Sequence, residues 1–190
     1  MTSDKLNQLA LLVTRHLSLI TAFKMFTDES SAEGKRREAL ELFEEAYRAQ
    51  MDEDYERAIE LYRRSIDVFP TAEAHTFLGW VYSFDERYDA AIEECLEAIR
   101  VDPTFGNPYN DIGSYLIAKG NLYDCVRWFK LALEAPRYEA RAFPHFNLGR
   151  VYETRGHLLK AARHYGLALE QQPGYSNAAL ALRRLQSKLN

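Results

Sequence analysis

Small and apolar residues recur along this chain in a fixed order that is written four times. A small residue stands in the middle of each copy, at Ala46, Gly79, Gly113 and Gly149. A second small residue comes twelve positions later, at Ala58, Ala91, Cys125 and Ala161. In both sets the copies are 33, 34 and 36 residues apart. Two further columns keep the same spacing: Tyr62, Cys95, Phe129 and Tyr165, then Ser65, Ala98, Ala132 and Ala168. A proline closes each copy, at Pro70, Pro103, Pro136 and Pro173.

This periodicity predicts a helical array. Each copy contains two segments with helical spacing, and no segment of the chain predicts a strand. A fixed period of this size is typical of a solenoid, in which each unit buries its apolar face against its neighbours.

The repeated unit resembles the tetratricopeptide repeat (TPR), a pair of antiparallel helices of about 34 residues. The resemblance covers roughly residues 39–175. It implies an all-α, right-handed superhelical solenoid of four TPR helix pairs, flanked by an N-terminal helix and a C-terminal capping helix.

The expected organisation has three parts. Residues 1–34 form an N-terminal apolar helix and a polar linker, and residues 35–175 form the four repeats, at about 39–71, 72–105, 106–141 and 142–175. Residues 176–190 form the capping helix. The third repeat is two residues longer than the usual unit of about 34, and the extra residues lie in the segment "APRYEARAFPHF".

The N-terminal segment carries a broad apolar stripe over residues 4–26, which predicts a buried helix. Residues 27–34, "TDESSAEG", have turn composition. Three arrangements are open for the helix. It caps the first repeat, it pairs with a second copy to make a homo-oligomer, or it folds back into the groove of the array.

The mid-helix glycines need a physical reason, because each costs about 1 kcal/mol relative to alanine. We expect Gly79, Gly113 and Gly149 to lie where the two helices of a pair approach closely. A larger side chain would hold the helices apart there, so close packing offsets the cost.

The composition excludes several classes of protein. Twenty-four basic and 28 acidic residues give a net charge of −4 and interleave along the helices, which argues against nucleic-acid binding. No apolar run approaches the roughly 20 residues of a membrane span, and no secretory signal is recognised. Cys95 and Cys125 are too few for a disulfide scaffold and are expected to be buried thiols. These features predict a soluble, cytoplasmic protein.

No arrangement of residues predicts catalysis. His157 and His164 are seven residues apart rather than the four that place two imidazoles on one metal, and His75 and His145 only share a repeat column. No nucleophile–base arrangement or phosphate-binding loop is found. We therefore expect no enzymatic activity, no metal and no cofactor.

The resemblance implies that the first helices of the repeats line a concave groove. In the family's register the inward residues are Phe43, Tyr47, Thr76, Trp80, Asn110, Ser114, Phe146 and Arg150, with Phe77, Phe84, Asp111 and Asn147 at neighbouring positions. The N-terminal half of this groove is aromatic and the C-terminal half is mixed and polar. Aromatic residues and arginine are the types that anchor protein interfaces.

These features predict a non-enzymatic scaffold or adaptor that binds a peptide or helix with an apolar or aromatic anchor. Grooves of this family that hold a chaperone's C-terminal carboxylate use basic and amide residues from successive first helices. Here Phe43, Glu44 and Tyr47 stand in the first of these helices, and only Asn147 and Arg150 remain in the last. A self-assembling structural subunit, joined through residues 4–26, is the alternative.

Overall fold

The structure, a computed structural model, describes residues 31–189. The predicted helix at 4–26, together with its three arrangements, lies outside the described residues. Within them the chain forms nine helices and no strand, which confirms the all-α expectation. The helices are α1 (31–51), α2 (Tyr55–Val68), α3 (Ala72–Phe84), α4 (Tyr88–Val101), α5 (Asn107–Ala118), α6 (Cys125–Glu134), α7 (Ala142–Thr154), α8 (Leu158–Gln171) and α9 (Ser176–Leu189).

Consecutive helices pack as four pairs, which we call pair 1 (α1 and α2), pair 2 (α3 and α4), pair 3 (α5 and α6) and pair 4 (α7 and α8). The two helices of each of pairs 2 to 4 contact each other, each pair contacts the next, and α9 covers α8. This stacking of neighbours is the architecture of a solenoid.

The first helix begins earlier than the sequence suggests. Residues 31–34 have turn composition and were expected in the linker, but they are helical. Gly34 is the only residue among them with poor helix propensity, and the long helix that follows tolerates its cost of about 1 kcal/mol.

The repeated columns form the core. The small residues that open the second helices and the residues four positions later have no exposed surface: Ala58, Ala91, Cys125, Ala161, Tyr62, Cys95, Phe129 and Tyr165. The column three positions further on is buried as well, from Ser65 to Ala168. Cys95 and Cys125 are buried free thiols, as expected.

Close helix packing explains the mid-helix glycines. A Cβ atom on Gly113 would lie 2.6 Å from the Phe129 ring, and one on Gly149 would lie 2.5 Å from the Tyr165 ring. A Cβ on Gly79 would lie 2.9 Å from the carbonyl oxygen of Ala91. These distances are shorter than carbon atoms tolerate, so the expectation of close packing is confirmed.

The turn within each pair repeats one backbone feature. Glu53, Glu86, Gly120 and Gly156 all have a positive φ, at 61°, 59°, 80° and 74°. They recur with the spacing of the core columns. Glycine adopts this left-handed conformation without cost, whereas other residues pay roughly 1–2 kcal/mol.

The excess residues of the third copy build an ordered loop over residues 135–141. The loop pairs with the turn before α5, since the Gly106 amide donates to the Arg137 carbonyl at 3.0 Å and the Arg137 amide donates to that of Thr104 at 2.9 Å. Tyr138 is buried directly over Gly106, where any Cβ would collide with it. The loop therefore fixes Tyr138 beside the first helices.

Candidate partner-binding groove

The first helices of successive pairs lie side by side. Helix α3 contacts α5, and α5 contacts α7. The surface that α1, α3, α5 and α7 form together is called the groove below. The N-terminal part of the groove is lined by α1 and α3, the middle by α3, α5 and the 135–141 loop, and the C-terminal part by α7.

An aromatic cluster fills the N-terminal part of the groove. The Phe77 ring lies 5.2 Å from Phe43, 5.8 Å from Tyr47 and 5.7 Å from Trp80, with the rings edge to face in each case. Phe43 and Phe77 are partly buried, whereas Tyr47 is 41% and Trp80 39% exposed. The two inner rings thus support two outer rings that face solvent.

Phe84 extends this cluster toward the second helix of pair 1. Its ring stacks on Tyr55 at 4.9 Å and lies 5.7 Å from Trp80. Phe84 therefore packs against a neighbouring helix while 43% of its surface remains exposed.

A pocket of ≈ 390 Å³ lies in the middle of the groove, and we call it the Asp111 pocket. Phe77 and Trp80 come from α3, Asn110 and Asp111 from α5, Tyr138 from the loop and Phe143 from the start of α7. Thr76 also reaches this wall, but it is buried and its hydroxyl donates to the Ala72 carbonyl at 2.7 Å. Thr76 shapes the pocket without offering a free polar group.

Asp111 gives the pocket its single formal charge. Burial raises the pKa of its carboxyl to about 7, against the lowering effect of a hydrogen bond that Asn110 donates to it at 3.2 Å. The other amide atom of Asn110, Oδ1, is buried and has no hydrogen-bond partner in the described part of the chain. The pocket thus has one carboxylate among aromatic side chains, with an unpartnered amide oxygen buried beside it.

The C-terminal part of the groove is polar. The Ser114 hydroxyl donates to the Asn110 carbonyl at 3.0 Å and accepts from Asn147 Nδ2 at 3.4 Å. Arg150 is exposed, and its guanidinium lies 6.0 Å from the Phe146 ring centre. Phe146 itself rests on Tyr165 and Tyr175, and Arg150 brings an exposed positive charge to this part of the groove.

Of the residues expected in the groove, the structure joins Trp80, Thr76 and Asn110 in the Asp111 pocket and Phe43 and Tyr47 in the aromatic cluster next to it. Ser114 and Asn147 join each other, and Phe146 and Arg150 form a separate site at the end. The sequence argument missed Asn107, Tyr138 and Phe143. The signal for the last two was the 36-residue spacing, which marks the inserted loop.

Histidines occupy one column of the groove helices and meet different partners. His75 Nδ1 lies 2.7 Å from a carboxylate oxygen of Glu94 in pair 2. In pair 4 the equivalent His145 Nδ1 lies 3.2 Å from His164 Nδ1. Among the described residues, no group of three or more histidine, cysteine or acidic side chains could hold a metal ion. No helix in that part of the chain is long and apolar enough to cross a membrane.

Comparison with known proteins supports the repeat assignment. A family model, tetratricopeptide repeat, matches residues 72–105, the same residues as the expected second repeat. The small glutamine-rich tetratricopeptide repeat-containing protein 2 of Mycosarcoma maydis is 27% identical over 110 residues, which is 57% of this chain and 30% of that protein. The chain thus spans less than a third of that relative's length.

Two solved structures share the fold. A Pseudomonas aeruginosa pilF structure superposes with a TM-score of 0.76 at 20% identity, covering 82% of this chain and 70% of that one. The first TPR of Spaghetti (RPAP3), bound to the HSP90 peptide SRMEEVD, superposes with a TM-score of 0.58 at 20% identity, covering 63% of this chain and 93% of that one. At these identities the likeness shows the fold. With its repeated columns, its matched second unit and its superhelical helix pairs, the chain is a tetratricopeptide-repeat protein.

Proposed function

We propose that the chain is a non-enzymatic protein-interaction scaffold that binds a peptide or short helix in its groove. An apolar or aromatic side chain of the partner rests on Trp80 and Tyr47. The observation that carries this proposal is the aromatic cluster of α1 and α3, whose outer rings are exposed while its inner rings are packed.

The cluster has the physical properties of an interface anchor. Trp and Tyr bring a large apolar area to a contact and lose little conformational entropy, and residues of these types dominate binding energies when they sit in packed surroundings. Phe77 contacts Tyr47 and Trp80 from behind, at ring distances of 5.8 Å and 5.7 Å, and Phe43 in turn packs on Phe77 at 5.2 Å. The outer rings are therefore preorganised, which reduces the entropy lost on binding.

A relative of this fold supports the peptide class of partner. The first TPR of Spaghetti (RPAP3) is bound to the acidic HSP90 peptide SRMEEVD. The groove proposed here has little positive charge to offer an acidic tail, because Asp111 lies along it and Arg150 is the one cation among the groove residues named above. A partner other than an acidic tail fits this groove better.

A random peptide library displayed on particles tests the proposal. We expect the full chain to enrich a family of sequences that shares an aromatic or large aliphatic residue. Trp80→Ala and Tyr47→Ala should each weaken the binding of these peptides, by about thirtyfold for Trp80, the effect of losing roughly 2 kcal/mol at an anchor.

Leu159→Ala serves as the matched control. Leu159 is an apolar side chain on the second helix of pair 4 and is 77% exposed, so it tests whether any exposed apolar group captures peptides. Enriched peptides that bind all three variants equally well would contradict the groove proposal. Circular dichroism of each variant shows whether the helices are retained.

A further inference from the structure

The Asp111 pocket combines features that select one class of side chain. Its walls are aromatic, with Trp80, Phe77, Tyr138 and Phe143, and its volume is ≈ 390 Å³. One carboxylate, that of Asp111, lies between these walls. An apolar pocket with a single charge in its lining fits a side chain that has an apolar stem and an opposite charge at its tip.

The carboxylate has no cationic partner within the described residues. Its one hydrogen bond comes from the neutral amide of Asn110 at 3.2 Å. The two arginines of the adjoining loop are engaged elsewhere. Arg137 pairs with Glu73 and Asp102, and Arg141 donates to the carbonyl oxygens of Leu133 and Ala135.

A second oxygen acceptor, on Asn110, lies beside the carboxylate of Asp111. Asn110 donates through Nδ2 to Asp111, which leaves its Oδ1 buried in the pocket wall without a donor. A buried acceptor without a partner is destabilising, because it has lost its hydrogen bonds to water and gained none in return. A group with several N–H donors and no acceptor can satisfy both oxygens, and ammonium and guanidinium groups are the protein side chains of this kind.

The aromatic walls suit the same group. A cation over an aromatic face is attracted by the ring, most strongly by Trp, and the attraction grows when water is excluded. Trp80 and Phe143 line the pocket around the carboxylate. The methylene stem of a lysine or arginine would cover these rings while its head reaches the two oxygens.

We propose that the Asp111 pocket is a subsite for a lysine or arginine side chain of the bound peptide, with Asp111 and Asn110 receiving the cation and Trp80 and Phe143 receiving its stem. The inference rests on the proposed function of the groove and adds a requirement for a positive charge in the bound peptide. Peptides carry an apolar or aromatic anchor for the N-terminal cluster and, further along, a basic residue for this pocket.

The pH dependence of binding gives this subsite a specific signature. Burial holds the pKa of Asp111 at about 7, and a bound cation favours the ionised form. Affinity for a basic peptide should therefore rise about tenfold between pH 6 and pH 8. The ionisable groups that face Asp111 are Cys95 of α4, Tyr115 of α5 and Tyr138 of the loop, and burial raises the pKa of each above its ordinary value.

Those three groups do not change charge between pH 6 and pH 8. His75, which precedes Thr76 on α3, has its Nδ1 2.7 Å from Glu94. The variant Asp111→Asn separates the pocket from every other ionisable group, because it removes only the titrating carboxyl of the pocket. A pH effect that survives in Asp111→Asn would come from outside the pocket.

The experiment uses peptides that the full chain enriches from the random library. We expect a lysine or arginine at a fixed distance from the aromatic anchor. In the tightest such peptide, replacement of that residue by norleucine should weaken binding to the unmodified chain at least tenfold at pH 8. The same replacement should have little effect on binding to Asp111→Asn.

Two further variants keep the outcome decisive. Asn110→Ala removes the second acceptor together with the hydrogen bond to Asp111, and it should reduce the preference for the basic peptide over the norleucine peptide, whereas Leu159→Ala should leave that preference unchanged. Trp80-dependent peptides with no basic residue, or a basic preference that Asp111→Asn retains, would overturn the subsite while leaving the groove in place. The absence of any Trp80-dependent peptide would overturn both proposals together.

Discussion

Pairs 2 and 4 share one framework and fill it with different residues. Each has a glycine in its first helix, a histidine four positions before it and a small residue opening its second helix. Around Gly79 the opposing core residue is the small Cys95, whereas around Gly149 it is the large Tyr165. The residue that follows the glycine is Trp80 in pair 2 and Arg150 in pair 4.

The difference separates two roles within the same unit. Positions between the helices of a pair repeat because the helices must approach closely, so small and buried residues return in every copy. Positions on the groove have no such constraint, and they change from aromatic to polar along the array. The repeated framework builds the solenoid, and the positions that differ between copies give each part of the groove its chemistry.

The largest expected effect concerns the two glycines. Gly149→Ala should destabilise the protein by about 3 kcal/mol, because its Cβ would lie 2.5 Å from the buried Tyr165 ring. Gly79→Ala should cost about 1 kcal/mol, since its nearest contact is longer, at 2.9 Å, and alanine favours the helix. Urea unfolding of both variants measures the difference.

A second substitution tests whether the Tyr165 ring causes this difference between the two glycines. Tyr165→Cys places at pair 4 the residue that pair 2 has at Cys95. In that background Gly149→Ala should lose most of its cost, because the ring is gone. Equal costs of Gly149→Ala with and without Tyr165 would show that the ring does not explain the glycine.

The next effect concerns the loss of stability at acidic pH that the His145–His164 pair causes. Burial lowers the pKa of His145 and lowers that of His164 to about 4, with His145, Arg163 and Lys130 adding to the shift for His164. A lowered pKa means that the folded state prefers the neutral ring. The contribution to stability is therefore complete above pH 6.5 and is lost as the pH falls toward 4, by roughly 1 kcal/mol at pH 5 once solvent screening of the half-buried ring is allowed for.

Exchange of the partner sharpens this comparison. His164→Glu gives pair 4 the partner that pair 2 has in Glu94, so that His145 gains a carboxylate instead of a second imidazole. We expect this variant to lose less stability than the unmodified protein between pH 7 and pH 5 in urea titrations. An identical pH dependence of the two proteins would show that the histidine pair does not cause the loss of stability at low pH.

The smallest effect concerns the turns within the two pairs. Glu86 and Gly156 have the same left-handed backbone, with φ of 59° and 74°. Gly156→Ala should destabilise by about 1 kcal/mol. Glu86→Gly should stabilise by a few tenths of a kcal/mol, because relief of strain outweighs the entropy of glycine only slightly. Thermal unfolding distinguishes the two signs, and a stabilising Gly156→Ala would contradict the backbone assignment.

The sequence predicts the framework well and the groove in part. Columns such as Ala91 and Ala161 are set by a contact that every copy makes, so periodicity reveals them. Tyr138 lies on an inserted loop and Phe143 on the first turn of the helix that follows it. The course of this loop depends on backbone pairing between Arg137 and the turn before α5. No periodic pattern encodes that pairing, although the 36-residue spacing marks its place.

The histidine pairs show the same limit. His75 and His145 are recognisable as one column, but their partners lie 19 residues further along the chain, on the second helix of each pair. Finding these partners requires the relative rotation of the two helices. The spacing of the copies does not contain that rotation, because it is the same in a pair with Glu94 and in one with His164.

Fluorescence of Trp80 tests the central claim most directly. The chain has two tryptophans, and Trp128→Phe removes the other one, which is partly buried on α6. In that background a library-selected peptide should shift the Trp80 emission to shorter wavelength and saturate at the affinity measured by calorimetry, because binding removes the exposed ring from water. Calorimetric binding with an unchanged Trp80 spectrum would place the partner elsewhere on the surface and contradict the groove as the binding site.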